Sequence, residues 1–338
     1  GPNNYSGGTT VSGGILQGDT TSLTGDIINN ATVVFNQASE GTYAGIISGS
    51  GSVTKQNAGT LIVTGPNTYT GKTTVSEGTL QGNTTSLTGD IINNAAVVFN
   101  QVSEGTYAGI ISGTGSVTKQ NAGTLIVTGP NNYSGGTTVS GGILQGDTTS
   151  LTGDIINNAA VVFDQVNEGT YAGAISGSGS VTKQNTGTLI VTGVSTYTGA
   201  TTVSAGTLQG NTTTLPGNIL NNGAVVFNQA IDGTYAGIIS GSGSVTKQNA
   251  GTLIVTGPNT YTGKTTVSEG TLQGNTTSLT GDIINNAAVV FNQVSEGTYA
   301  GIISGTGSVT KQNAGTLIVT GPNNYSGGTT VSGGILQG

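Results

Sequence analysis

Carboxylates, lysines and tyrosines are the side chains of this chain that could move protons, because it contains no histidine and no cysteine. That absence removes Ser-His-Asp triads, cysteine nucleophiles and the common zinc sites together. The acids recur at a fixed interval. Asp26, Asp90, Asp154 and Asp282 share one phase, and Glu40, Glu104, Glu168 and Glu296 another. Glycoside hydrolysis needs two carboxyl groups about 5–10 Å apart. Acids at equivalent positions, three coils apart in the fold argued below, would stand ~14 Å apart. Asp164 with Glu168 is the one local pair, and it has no partner base. The calcium-binding nonapeptide Gly-Gly-x-Gly-x-Asp is missing. No catalytic residue, no cofactor-binding residue and no metal ligand is therefore assigned, and the chain is expected not to be an enzyme.

Two lysine patterns need separate treatment. Gly65-Pro-Asn-Thr-Tyr-Thr-Gly-Lys-Thr73 imitates a phosphate loop. Its glycines are one residue too far apart, and a strand rather than a helix is expected to follow at Thr73–Leu80. Lys72 occurs with Glu77 and Lys264 with Glu269, whereas Gly8 occurs with Gly13, Gly136 with Gly141 and Ala200 with Ala205. A weak exposed ion pair and block duplication explain this covariation equally well. Lys55, Lys119, Lys183, Lys247 and Lys311 are expected to form one solvated ladder, spaced beyond the ~8 Å over which charges act at physiological salt.

These residues are positioned by a repeat of 64 residues. Gly-Thr-Leu-Ile-Val-Thr-Gly recurs at Gly59–Gly65, Gly123–Gly129, Gly187–Gly193, Gly251–Gly257 and Gly315–Gly321. Repeats 1–64, 65–128, 129–192, 193–256 and 257–320 are followed by a partial repeat 321–338, and the second and fifth are identical. The fourth departs most, with Val194, Pro216 and Gly223 at positions occupied differently elsewhere. A long fixed period marks a solenoid in which each repeat buries its apolar side only by stacking on its neighbours. One continuous elongated domain over 1–338 is expected. Gly1–Gly18 reads identically to Gly321–Gly338, as in a piece of a longer array.

Composition bounds the remaining classes. Charged residues make up 6% and apolar residues 33% of the chain, and Gly, Thr, Ser and Asn fill much of the rest. Such a composition suits a flexible linker, but β-branched runs at fixed phase, such as Ala31–Phe35 and Leu61–Thr64, argue for a fold. The net charge is −7 with seven Lys and no Arg, which disfavours a nucleic-acid partner. No segment approaches the ~20 apolar residues of a membrane span. No signal peptide stands at Gly1.

Gly occupies 61 positions and helix signals are nearly absent. In the second repeat we expect short strands at Thr73–Val75, Thr79–Gln81, Ser86–Thr88, Asp90–Ile92, Val97–Asn100, Tyr107–Ile111, Ser116–Lys119 and Leu125–Thr128, with Asn131–Ser134 beyond it. The strongest segments begin near Leu80, Val98 and Ile126, and the next at Leu144. This predicts an all-β, right-handed parallel β-helix of about three coils per repeat, each averaging about 21 residues. About 16 coils would make a rod roughly 75–80 Å long at parallel-strand spacing. The Asn-Asn pairs Asn29–Asn30, Asn93–Asn94, Asn157–Asn158, Asn221–Asn222 and Asn285–Asn286 read as corners. Phe35, Phe99, Phe163, Phe227 and Phe291 read as core, facing the same way as the first Val of Val-Val-Phe. The tyrosine phases beginning at Tyr5 and Tyr43 read as caps on core corners, with some rings half exposed.

The segment Gly-Ser-Gly-Ser-Val-Thr-Lys-Gln-Asn-Ala-Gly-Thr-Leu-Ile-Val-Thr-Gly-Pro-Asn-Thr-Tyr-Thr-Gly-Lys-Thr-Thr-Val-Ser-Glu-Gly-Thr-Leu-Gln-Gly, from Gly49 to Gly82, resembles the passenger-associated repeat of bacterial autotransporters. The likeness lies in the Gly-Thr-Leu strand, the Asn-x-Tyr-x-Gly turn, and the following Thr-Thr-Val and Gly-Thr-Leu-Gln. It recurs in every repeat and covers about half of each. The resemblance implies export through an outer-membrane barrel and a parallel β-helix at the bacterial cell surface or in secreted form. It implies an adhesin or autoaggregation factor, with self-association or a host-cell or bacterial-surface ligand as partner, no cofactor, and no membrane insertion by this segment. A glycan- or ice-binding β-helix without catalysis is the alternative. Against ice binding, most threonines come as adjacent pairs such as Thr73-Thr74, and adjacent strand residues face opposite sides.

Overall fold

A computed structural model describes residues 1–5 and 7–338. Among them every regular element is a β-strand, of two to five residues, and the strand pairs given by their registers are all parallel. The chain divides into two compact units: Gly1–Val162 with Ala172–Ser176, and Phe163–Tyr171 with Gly177–Gly338. Each is an all-β parallel solenoid.

The first unit shows how the coils stack. One of its sheets has eight strands, in the order Gly41–Tyr43, Thr60–Val63, Thr79–Gly82, Ala96–Asn100, Ser116–Gln120, Thr137–Val139, Ile155–Asn157 and Ile175–Ser176. Its register runs Leu61, Leu80, Val97, Val117, Thr137, Ile155, Ile175. Six steps thus climb 114 residues, or 19 per coil. Three coils consume about 57 residues, so a 64-residue repeat makes three coils and roughly a third of another. This refines the expected coil of about 21 residues. Ile126, expected to stack above Val98, instead pairs with Gln145 in a different sheet, and Val98 pairs with Thr118.

The extra third has a structural consequence. The equivalent strands Thr9–Val11, Thr73–Val75 and Thr137–Val139 belong to three different sheets. In the second unit Thr201–Val203, Thr265–Val267 and Thr329–Val331 are likewise distributed over three. Within each unit, successive repeats thus begin in different sheets. The eight-stranded sheet accordingly holds one example of each strand type.

Of the expected strands, Ser86–Thr88 falls in a turn, Asn131–Ser134 is an irregular segment, and Tyr107–Ile111 is a pair of strands. At Asn83–Ser86 the Asn83 side chain accepts from the Ser86 backbone (3.1 Å), and Leu87 N donates to Asn83 O (2.8 Å). This closes a turn around the buried Leu87. At Asn131 the side-chain amide replaces a strand rung. Its Oδ1 accepts from Ile111 N in the coil below (2.7 Å), and its Nδ2 donates to Ser150 O in the coil above (2.8 Å). Tyr107–Ile111 divides into Gly105–Tyr107 and Ile111–Ser112 because Ala108–Ile110 turns a corner.

The inward residues of one sheet form successive layers. Val97 and Phe99 are fully buried, as strand alternation requires. Gly82 pairs with Phe99, so a residue without a side chain leaves room for the ring. Phe99 then meets Tyr107 edge-to-face, with centroids 5.0 Å apart. The Asn-Asn corners are built as expected. Asn93 is buried, its Nδ2 donates to Ser116 O (2.8 Å), and its Oδ1 accepts from Ala95 N (3.2 Å). The left-handed corner conformation belongs to other asparagines: Asn57, Asn121, Asn185, Asn249 and Asn313 have φ of 65–66°.

Glycine sets the closest approach between coils. A Cβ on Gly109 would collide with the Gly89 carbonyl, and one on Gly129 with the Gly109 carbonyl. At Gly141 a Cβ meets backbone no closer than 3.3 Å, and the equivalent Ala205 already carries one. Gly109→Ala is therefore expected to lower stability by about 2–3 kcal/mol, in the range of overpacking. Gly141→Ala should change it by less than about 0.5 kcal/mol. Denaturant unfolding of the two variants checks this.

Candidate functional site

The acids serve the backbone. Asp90 Oδ1 accepts from Ile110 N (3.0 Å), and Asp26, Asp154 and Asp282 do the same for Ile46, Ala174 and Ile302 at 2.8–3.0 Å. Asn218 replaces the acid in the fourth repeat and caps Ile238 N at 2.9 Å. A neutral amide performs the same task, so the carboxylate charge is not what the corner requires. Asp19 caps the backbone of Thr21 and Ser22, and their hydroxyls and amides hold its pKa down at about 2. Asp164, the candidate for chemistry, accepts from the left-handed Asn185, as Asn100 does from Asn121. Glu168 and its equivalents Glu40, Glu104 and Glu296 are exposed. Among the described residues no three His, Cys, Asp or Glu side chains come together as a metal site would need.

The lysine ladder reverses the expectation. Lys55, Lys119, Lys183, Lys247 and Lys311 are completely buried. In the first unit Lys55 and Lys119 lie in different sheets, as do the three lysines of the second, so they do not line one face. Lys119 Nζ donates to the carbonyls of Gln120 (2.8 Å), Asn121 (2.6 Å) and Gly141 (2.9 Å). The other four repeat this cage at 2.5–3.2 Å. An ammonium has three donors and no acceptor, and three inward carbonyls match it. Burial pushes the Lys119 pKa down. At Lys55 burial has the same effect, and the nearby Glu77 opposes it. The signal was present in the sequence: Lys119 follows inward Val117 by two residues, and strand alternation puts both on one side. Lys72 is exposed and precedes a strand, Thr73–Val75, so the phosphate-loop likeness has no structural counterpart.

The tyrosines are core. Tyr107 hydroxyl donates to Gly89 O (2.5 Å), and Tyr69 hydroxyl bonds Thr73 Oγ1 (2.7 Å). Burial raises the pKa of both. Tyr5, at 40% exposed, and the half-buried Tyr325 are the rings left partly open, as expected for some of them.

With the polar core groups engaged, the outer faces carry what remains. In the eight-stranded sheet of the first unit the column facing away from the core reads Ile62, Gln81, Val98, Thr118, Thr138, Ile156, Ser176, with Val98 itself buried. Only one pair of threonines, Thr118 and Thr138, is adjacent in that column, so the column is not a regular threonine array. No helix among the described residues is long and apolar enough to cross a membrane.

The fold and its exterior define a parallel β-solenoid whose buried lysines and corner aspartates hold backbone. Comparison with known families makes the assignment specific. The passenger-associated-transport-repeat matches at residues 1–17, 53–81, 117–145, 181–209, 245–273 and 309–337. The chain is similar to the adhesin BmaC autotransporter of Brucella suis biovar 1 (strain 1330), 34% identical over 210 residues. That match covers 51% of this chain and 6% of the relative. No solved structure matches. These matches support an autotransporter passenger with repeats.

Two predictions test the core. Lys119→Met leaves three carbonyls without donors and is expected to cost about 2–4 kcal/mol, whereas Lys72→Met, exposed, should cost less than about 0.5 kcal/mol. Thermal and denaturant unfolding would show the contrast. The raised tyrosine pKa values predict alkaline unfolding. Their stabilisation is fully present below the unfolded value of about 10 and is lost as pH rises through the higher folded values. Phenolate absorbance of the buried rings should therefore rise above pH 10 together with loss of the β-sheet circular dichroism signal.

Proposed function

We propose that this array is the non-catalytic repeat region of an adhesin displayed on a bacterial surface or secreted. It acts as an elongated stalk, as an adhesive self-associating surface, or as both. The observation that carries the reading is the coincidence of six transport repeats with a solenoid whose lysines and aspartates bind backbone. Such a chain gains length by adding repeats, since each repeat stacks only on its neighbours. Absence of cysteine suits a chain that stays extended during export. Exposed Thr, Ser and Asn offer many weak contacts that sum by multivalency. The adhesin name of the Brucella relative supports the adhesive part. Biofilm formation, autoaggregation and a part in virulence belong to the same proposal.

Sedimentation velocity of this chain over a wide concentration range, at two salt levels, tests the reading. An elongated species with reversible, concentration-dependent association is expected if the faces are adhesive, and an elongated strict monomer if they act as a stalk. A compact frictional ratio would overturn both.

A further inference from the structure

One surface groove differs between repeats. In the third repeat, Ser134, Gly135, Gly136, Thr137, Thr138, Asp154 and Ile156 line a groove of about 240 Å³. That is below the roughly 300 Å³ at which sites for whole small molecules begin, and nearer the scale of one side chain. Ile156 is 50% exposed and Asp154 is exposed. The second and fifth repeats carry Lys72 and Lys264 where the third has Gly136. There the equivalent acids Asp90 and Asp282, and the equivalent isoleucines Ile92 and Ile284, are only partly exposed. The first repeat has Gly8, and its Asp26 and Ile28 are exposed like those of the third. In the fourth, Ala200 accompanies an exposed Leu220, and the acid has become Asn218.

From this pattern we infer that the lysine stem of the second and fifth repeats covers the apolar floor and the carboxylate, and that the open groove of the third accepts the same group in trans, the side chain of a lysine on a partner protein. On this inference the ligand's alkyl chain lies over the isoleucine and its ammonium meets the carboxylate. Charge agrees, since the carboxylate is exposed and the whole chain carries −7. Asp154 gives one oxygen to Ala174 N and has a second. One such contact is weak, and repeated grooves would combine by multivalency. The exposed Asp26 and Ile28 of the first repeat follow a strand, Thr9–Val11, in a different sheet from Thr137–Val139 of the third. The inference adds a ligand chemistry to the adhesive reading and rests on it for the partner being a protein.

The test is methyl NMR of the full chain titrated with Nα-acetyl-lysine methylamide, with the Nε-acetylated analogue as the uncharged control. The Ile156 and Ile28 methyl signals are expected to shift saturably with the charged probe alone, and those of Ile92 and Ile284 to stay still. Lys72→Ala should make Ile92 respond. Asp154→Asn should abolish the Ile156 shift and spare Ile28, and the fold is preserved because Asn218 already caps that corner. Equal shifts with both probes, equal shifts at Ile92 and Ile156, or no shift would overturn the inference. Probe binding by an array that does not adhere to cells or to itself would uphold the groove and overturn the adhesive reading instead.

Discussion

The structure depends on the vertical continuity of parallel hydrogen bonds from coil to coil. Paired strands bond to the coils above and below, and buried polar groups without partners are costly. Coil length is therefore set by register, at 17 to 20 residues per step in the first unit. Where a strand cannot form, a side chain takes over the rung, as Asn131 does between Ile111 and Ser150. Where the backbone turns its carbonyls inward, a lysine supplies the missing donors. The five buried lysines and the corner aspartates answer this requirement.

The same register explains the distribution of surface features. A repeat that is not a whole number of coils cannot stack its copies in a column. Equivalent strands move from sheet to sheet, so each sheet of eight shows eight different strand types. A regular binding row, as a flat crystalline target would demand, is incompatible with this arrangement. Scattered, individually weak contacts are compatible with it. Sequence drift then acts locally: exchanging Lys for Gly at one outward position exposes a carboxylate and an isoleucine without altering the core.

The buried lysines also change what the composition means. A chain with few charges was expected to keep them in water, yet five of its seven lysines are fully buried. Burying an ammonium is unfavourable unless its donors are matched. The cage of carbonyls provides that match, and the left-handed asparagine two residues on orients one of them. The Lys-Gln-Asn run is therefore a structural element of the corner, and its recurrence in all five repeats follows from packing.

Much of the fold was legible in the sequence. The 64-residue period, the Val-Val-Phe strand and the Asn-Asn corners follow from local pattern and alternation, which act over a few residues. Lys119 was legible in principle, because it alternates with Val117, but charge outweighed phase in the reading. The strands misplaced at Ser86–Thr88 and Asn131–Ser134 were not legible, since their role depends on side-chain bonds to coils 17 to 20 residues away. The groove at Gly136 was visible only as a covariation without a place. The sequence by itself determined the repeat, the strand types and the absence of histidine and cysteine chemistry. The tertiary structure decided how many residues close a coil, and hence which residues stack, which face each repeat presents and which lysines meet solvent. Those are properties of register, and register is settled by contacts between coils rather than by any residue's own preference.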